Sequence, residues 1–563
     1  HPRLHASAAT LAALWLLCAA LCRADGIATA SSCHSDEFPP EHALDGNPET
    51  RWASGKDSGD GEWLAVDFGA TVEIDEVRIH WERAFAKAYA LEVSPDGKEW
   101  RRIHDHPKGL GREEHITGLS GRGRYFRMVC LEPTRHGMYS IYELNFPGPA
   151  AKAAFEKQRA RIEEQRKQEE AAQREALRRR MAAHGVERIV YATRPIYKDG
   201  HWYANISYYA PDANRVTYEE GGGLYVLDIA SGDVLPLVED DQGTLRDPAV
   251  HYDGERILFS WRKGGTGFFH LYVINADGTG LRQLTSGSYD DIECAWLPDG
   301  GIVFVSSRCR RWVNCWLTQV ATVHRCDADG RNILPLSANL EHDNTPWPLP
   351  DGRILYQRWE YVDRSQIDYH HLWTMNPDGT GQMVYFGNMH PGSVYLDAKP
   401  IPGTDDVVLI DSPGHGVREH AGHVALVHAK NGPDDKASLR RLTGNGFRDP
   451  YPLSPELFLA ARGATLMLVD ASGATAALHR LRADERPREL HEPRPILSRK
   501  REHLIPPRTD YEQETGTLVL ADVRTGRNMD GVADGEITEL LVLESLPKPI
   551  NYTGGMDPLS YGG

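Results

Sequence analysis

The chain has 563 residues, 40% of them hydrophobic and 25% charged, a balance of globular rather than disordered material. One hydrophobic core does not serve that length, so three or four units are expected, fewer if one is a propeller. The formal net charge of −17 repels a phosphate backbone, which excludes a general nucleic-acid binder, while it suits solubility and cation binding.

In chain order, Arg3 and a mostly apolar run from Ala8 to Leu21 come first, closed by Cys22-Arg23-Ala24, a small-x-small pattern of the kind a signal peptidase cuts. The run is nearer to a signal-peptide core than to the roughly 20 residues of a membrane span. Residues 1–24 therefore read as a signal peptide and the protein as secreted or periplasmic, with a retained N-terminal anchor as the alternative. Neither Cys18 nor Cys22 has the preceding residues a lipoprotein needs. No later stretch reads as a membrane span. Because the sequence opens on His1 rather than Met, it is expected to begin inside a reading frame.

From residue 27 to 148 short alternating runs such as Trp63-Leu64-Ala65-Val66-Asp67-Phe68-Gly69 and Val77-Arg78-Ile79-His80-Trp81 predict a β-sandwich. Four ordered motifs stand in it: Ala43-Leu44-Asp45-Gly46-Asn47-Pro48-Glu49-Thr50-Arg51-Trp52, Trp63 to Gly69, Ser94-Pro95-Asp96-Gly97-Lys98-Glu99-Trp100 and Arg124-Tyr125-Phe126-Arg127. With them the segment closely resembles the coagulation factor V/VIII type C, or discoidin, family. The resemblance implies an eight-stranded jelly roll that binds sugars or anionic lipids through loops at one end. It also implies a structural calcium, with Asp45, Asn47, Thr50 and Glu143 as matching oxygen donors; hard oxygen ligands suit that ion. The plainer reading of Asp45 and Asn47 is a tight Asx turn before Gly and Pro. A disulfide between Cys33 and Cys130 is a further implication. His80, Trp81, Glu82 and Arg83 are candidate ligand contacts on a loop edge, against a packing or ordinary surface role.

Residues 151–184 lack Gly and Pro until the end and are dominated by Ala, Glu, Gln, Lys and Arg, so a continuous charged helix is expected, a spacer about 50 Å long. Glu163 with Lys167, Glu170 with Arg174 and Glu175 with Arg179 stand in the favourable i,i+4 order.

Between residues 187 and 530 two patterns interleave. Apolar triplets recur at Leu224, Leu271, Leu372, Val424, Leu466 and Leu518, with a less regular copy near Val323, while turns recur at Asp253-Gly254, Asp299-Gly300, Asp351-Gly352, Gly403 and Pro455, spaced 46, 52, 52 and 52 residues apart. Such a period is the signature of propeller blades. Seven blades are expected, six being the alternative. Asn275-Ala276-Asp277-Gly278-Thr279-Gly280, Asn376-Pro377-Asp378-Gly379-Thr380-Gly381 and Trp296-Leu297-Pro298-Asp299-Gly300 resemble the TolB-like propeller repeat; physically, Asp-Gly supplies the positive φ of a tight hairpin.

Six residues before each turn anchor stand Asp247, Glu293, Thr345, Asp397 and Asp449. Equivalent positions in successive blades form a ring, so the four carboxylates are expected near the axis, as a cation site or as caps of the strand-start turns. A second concentration holds His342, His371 and His390, a candidate metal or catalytic trio, with His415, His420 and His423 nearby; hydrogen-bonded or surface histidines are the alternative. Cys294, Cys309, Cys315 and Cys326 suggest disulfides stapling an irregular blade rather than a metal cluster.

Ser306-Ser307-Arg308-Cys309-Arg310-Arg311, Glu341 to Trp347, Arg358 to Arg364, His370-His371-Leu372-Trp373 and Gly387 to Gly392 look like proteins related to the hydrazine synthase alpha subunit, found in planctomycete-like bacteria. In that enzyme haem-carrying segments do the redox chemistry. No Cys-x-x-Cys-His occurs here, so there is no covalent haem motif in this chain and the activity does not transfer. Residues 531–563 read as the start of a truncated C-terminal region. The function these features favour is an exported binding and scaffold protein, with a discoidin module for a glycan or surface and a propeller for a protein partner or a missing catalytic region. The alternatives are the non-haem portion of a hydrazine synthase alpha-like redox protein and a metal-dependent polysaccharide-active enzyme.

Overall fold

A computed structural model of the protein describes residues 27–542, apart from 36, 56–60, 135–136, 196–218, 314–318, 363, 415–420, 482–487 and 527. The signal-peptide reading and His415 and His420 lie outside the described residues. The chain divides into two compact units, residues 1–174 and 175–563. No helix among the described residues is long and apolar enough to cross a membrane.

In the first unit the strands are β1 (Ala28–Ala30), β2 (Trp52–Ala53), β3 (Glu62–Trp81), β4 (Ala86–Ser94), β5 (Arg101–His106), β6 (Glu113–Pro133) and β7 (Ser140–Asn145). Their order is β2-β7-β3-β6-β4-β5, with β1 on β3. The two long strands pair with each other along their length, and register shifts between Asp67 and Val72 and between Ile74 and Glu76 bend both. The halves before and after the bend thus face one another. Leu64, Val66 and Phe68 from one half of β3 meet Ile74, Val77 and Ile79 from the other in a single core with Trp52, Phe126 and Met128. The expected eight strands are seven by pairing, two of them bent across both layers. Helix α1 (Pro149–Ala183) follows, and Ala151, Phe155 and Ile162 on its first turns pack on the sandwich core. The expected Glu163–Lys167 pair forms at 3.1 Å.

In the second unit the last residues of α1, Leu177 and Met181, pack with Ile189, Tyr191 and Leu459. Among the described residues the remaining strands form six four-stranded units, the smaller of the two expected counts. Blade one takes its innermost strand from the far end of the sequence, Arg488–Pro495, which pairs antiparallel with Arg188–Pro195. The innermost strands of blades two to six are Thr244–Val250, Asp291–Trp296, Asp343–Pro348, Ser393–Pro400 and Arg448–Ser454. A short parallel pairing of Tyr369 with Ser393 and His370 with Val394 fuses blades four and five into one eight-stranded sheet. Apolar clusters alternate around the ring, each drawn from facing blades, as with Ile292, Val303 and Val305 against Ile354 and Tyr356.

One expectation fails here, because apolar triplets are local while sheets need partners. Leu518-Val519-Leu520 forms no strand and stays exposed, because the C-terminal pairing place is already taken by Arg488–Pro495. The irregular copy at Val323, by contrast, is an ordinary third strand, Thr322–Cys326. Beyond Pro495 the chain runs across the turns of blades two to four. Arg499 N donates to Tyr252 O (3.0 Å), Arg501 Nη1 to Pro298 O (2.8 Å), His503 N to Pro350 O (3.2 Å) and Thr509 N to Asp378 Oδ2 (3.1 Å).

The cysteines also depart from expectation. Cys33 is disulfide-bonded, but Cys130 is a buried free thiol, as are Cys294 and Cys326, and Cys309 is free. The Cys33–Cys130 bridge is therefore not made. Cys130 lies inside the core with Tyr89 and Met128, where burial raises its pKa. Cys294 and Cys326 fill a packed inter-blade cluster with Trp296 and Phe304; small apolar-like thiols suit that place without a bridge. Cys315 lies outside the described residues.

Candidate functional sites

The ring expected from the turn spacing is a property of the innermost strands. Each strand carries a register shift, bracketed by Arg246 and Ala249, Ile292 and Ala295, Asn344 and Trp347, Leu396 and Lys399, Arg448 and Tyr451, and His491 and Arg494. Inside each bulge one residue is left-handed: Asp247 (φ 61°), Glu293 (54°), Thr345 (49°), Asp397 (52°), Asp449 (53°) and Glu492 (48°). A side chain other than Gly pays about 1 kcal/mol or more for that conformation, so six in register need a compensating contact.

Four such contacts are made, each a side chain reaching from one blade to the backbone of the next. Asp247 Oδ2 accepts from Glu293 N (2.8 Å), Glu293 Oε2 from Thr345 N (2.6 Å), Thr345 Oγ1 from Asp397 N (3.1 Å) and Asp449 Oδ2 from Glu492 N (3.1 Å). A left-handed residue turns its N–H toward the preceding blade, and a short side-chain acceptor there satisfies it. That is why the ring positions carry Asp, Glu or Thr.

The carboxylates are also matched by buried cations. Arg246 donates to Asp247 Oδ2 (2.8 Å) and Glu293 Oε1 (3.4 Å), Arg194 reaches both oxygens of Glu492 (2.8 and 3.1 Å), and Lys399 pairs with Asp397, whose other oxygen is 3.7 Å from Arg494. Burial raises the pKa values of Glu293, Glu492 and Asp397. It pushes Lys399 down to about 8 and His491 down to about 4. The cavity these residues line measures about 40 Å³, room for a few waters at most. Asp449, His491 and Glu492 are the group among the described residues close enough to share a metal. Yet Arg194 already occupies Glu492, so the geometry favours the capping role over a cation site at Asp247, Glu293, Asp397 and Asp449.

The histidine trio does not converge. His342 Nδ1 accepts from Ala321 N (3.2 Å), His371 Nε2 stands 3.3 Å from Glu360 Oε1, and His390 Nε2 lies 3.1 Å from Asp434 O. All three are buried, each against a different aromatic neighbour: Trp359, Trp373 and Phe386. They are packing histidines in blades four and five, and His423 likewise meets Thr443 O at 2.8 Å. A cluster in sequence does not make one in space: His342 precedes the innermost strand of blade four, His371 lies two strands away in the same sheet, and His390 stands on the connection that follows.

In the sandwich, the Asp45 turn is an Asx turn: Asn47 N donates to Asp45 Oδ1 (2.8 Å) and Thr50 Oγ1 to Asp45 Oδ2 (2.8 Å). Glu143 on β7 is buried beside it, its carboxylate facing the Asp45 carboxyl and the backbone N–H groups of Gly46 and Asn47. Burial first, then the charge of Asp45, pushes Glu143 up to about 7. Two adjoining carboxyls without a counter-cation are the donor set that a hard divalent ion satisfies.

Of the loop-edge candidates, Trp81 is corrected. It is 2% exposed and continues the inward register of Val77 and Ile79, its ring 5.6 Å from Tyr89. The alternation along β3 carried that signal. His80 is half-buried against Tyr142 (5.2 Å), and Arg83 is exposed. Glu82 accepts from Ala84 N (2.9 Å) and lies 3.4 Å from Arg51. Sequence reading missed two residues of this edge, Arg51 and the half-buried Phe38, whose ring lies 4.7 Å below the guanidinium.

The F5/8 type C domain family matches residues 27–144. Those residues form an F5/8 type C domain. A chitosan-binding module of a Paenibacillus sp. IK-5 chitosanase/glucanase is 29% identical, covering 23% of this chain and 98% of its own, with a TM-score of 0.21. Hydrazine synthase subunit alpha of Kuenenia stuttgartiensis is 23% identical over 339 residues, 49% of this chain and 40% of the relative. The chain thus spans less than half the length of that relative. The solved Kuenenia stuttgartiensis hydrazine synthase gives 20% identity, 57% of this chain and 48% of the other, with a TM-score of 0.49. The F5/8 type C domain and the hydrazine synthase similarity support a binding or scaffold role.

Proposed function

We propose that the protein is exported and attaches to a glycan or surface polymer through its F5/8 type C domain, while the propeller docks a protein partner or supports a further catalytic region. The observation that carries this reading is the domain match over residues 27–144, beside whose loops Phe38, Arg51, Glu82 and Arg83 leave a charged edge on an aromatic base. Sugar recognition needs that combination of a flat apolar surface and fixed polar groups. Asp45, Asn47, Thr50 and Glu143 would hold calcium, which would neutralise the paired carboxyls and stiffen the turn. Affinity electrophoresis of the full chain through gels containing chitosan, galactan or alginate tests the reading. Retardation by at least one polymer is expected, with Arg51→Ala reducing it about tenfold, the loss of one charge-assisted contact. Migration unaffected by any polymer would count against glycan attachment.

A second reading rests on the hydrazine synthase similarity: the propeller as the non-haem portion of a redox assembly. Retention of a haem-stained partner by the immobilised full chain, lost on a Glu293→Ala background that disturbs the ring, is its expected sign. The polysaccharide-cleaving reading has no support in the positions of His342, His371 and His390, which stand apart.

A further inference from the structure

Near the end of β5, the edge strand of the sandwich, His104 and His106 point to the same side, as residues two apart on a strand do. His104 Nε2 and His106 Nδ1 face each other at 3.3 Å. Both rings are half-buried rather than covered.

The other nitrogen of His106 decides what the facing pair offers. His106 Nε2 lies 3.4 Å from Glu114 Oε2. That carboxylate is fixed in place: Oε2 accepts from Tyr89 OH (2.5 Å), and Oε1 accepts from Leu110 N (2.7 Å) and Gly111 N (3.0 Å). A carboxylate oxygen accepts, so Nε2 is the nitrogen placed to donate to Glu114, which leaves Nδ1 as the nitrogen that faces His104. The Tyr89 ring stacks on His106 (4.6 Å between centroids, 20° between planes) and holds its orientation. A carboxylate on the far nitrogen of an imidazole is the arrangement that supports metal-ligating histidines.

The spacing fits as well. Two nitrogen donors at 2.0–2.1 Å from a tetrahedral ion stand about 3.3–3.4 Å apart, the separation of these two nitrogens.

We propose that His104 Nε2 and His106 Nδ1 bind a divalent transition-metal ion, Zn²⁺, with Glu114 as the positioning carboxylate and solvent in the remaining places. This site is separate from the Asp45–Glu143 oxygen set, uses nitrogen donors, and is independent of the glycan reading.

The test is zinc competition with a chromophoric chelator on the full chain in calcium-saturated buffer. His104→Gln and His106→Ala should each remove one equivalent of bound zinc, and Glu114→Gln should weaken it about 10–100-fold. Asp105→Asn, on the opposite side of the strand, should leave it unchanged. Cobalt substitution adds a readout that a structural role does not move, intense visible bands from a low-symmetry four-coordinate ion that disappear in His104→Gln. Calorimetric melting in EDTA establishes that each variant is folded; should His106→Ala unfold through loss of the Tyr89 stack, His104→Gln decides alone. Unchanged zinc stoichiometry and affinity in folded His104→Gln would overturn the proposal, as would no zinc uptake by the wild-type chain.

Discussion

Glu293 is the sharpest test of the ring, because two substitutions that remove the same contacts differ in backbone cost. Truncation to Ala leaves Thr345 N without its 2.6 Å acceptor and takes from Arg246 one of its two carboxylates. An unsatisfied buried N–H costs about 1–3 kcal/mol and breaking a buried ion pair about 3–5 kcal/mol. Because Arg246 retains Asp247 at 2.8 Å, the lower end, about 3 kcal/mol, is expected for Glu293→Ala. Glu293→Gly loses the same contacts but relaxes a left-handed φ of 54°, recovering about 1 kcal/mol. Gly should therefore be the more stable variant, the reverse of its usual order against Ala. Urea unfolding followed by tryptophan fluorescence, with buried Trp296 and Trp359 in the propeller as reporters, gives both midpoints. A Gly variant equal to or weaker than Ala, or an Ala variant within about 0.5 kcal/mol of wild type, refutes the bulge-and-cap account.

The carboxyl of Glu143 is raised from 4.5 to about 7, so between those values the folded state holds its proton more tightly than the unfolded chain. Without calcium, stability should fall as pH rises from about 4.5 to about 7 and then level off. Calcium needs the ionised form, so its stabilising effect should grow across the same window, and Glu143→Gln should flatten both; melting curves with EDTA or calcium from pH 4.5 to 8 check this, and a calcium effect independent of pH contradicts it. Arg499, which lies over Tyr252 at 3.9 Å and pairs with Glu502 at 2.6 Å, anchors the segment that crosses the turns. Arg499→Ala should cost about 1–2 kcal/mol and speed limited proteolysis between residues 497 and 509, whereas unchanged cleavage would show that the backbone contacts suffice.

Much of the architecture was legible because it repeats. An Asp-Gly turn fixes a hairpin locally, and a fixed offset from it in each blade lands on the same place in the ring, so Asp247, Glu293, Thr345, Asp397 and Asp449 could be named from spacing. Glu492 could not. Its strand has no such turn anchor six residues on, where Ser498 stands, and it belongs to the first blade only through pairing with residues about three hundred positions earlier, as the Arg194–Glu492 contact records. Trp81 was readable from the alternation of β3 once its loop-edge position was set aside. Arg51 and Phe38 carried no pattern of their own.

By itself the sequence determined what local chemistry decides: alternating strands, an uninterrupted helix, repeating turns with the positive φ that Asp-Gly supplies, and acceptor side chains at one offset from those turns. The closure of the ring, the neutralisation of its acids by Arg246, Lys399 and Arg194, the dispersal of His342, His371 and His390, the free state of Cys130 and the pairing of His104 with His106 were decided by tertiary structure. The physical reason is reach. A dihedral preference acts within a few residues, whereas a buried charge, a thiol or an imidazole takes its role from whichever distant group the folded chain sets within about 3 Å of it.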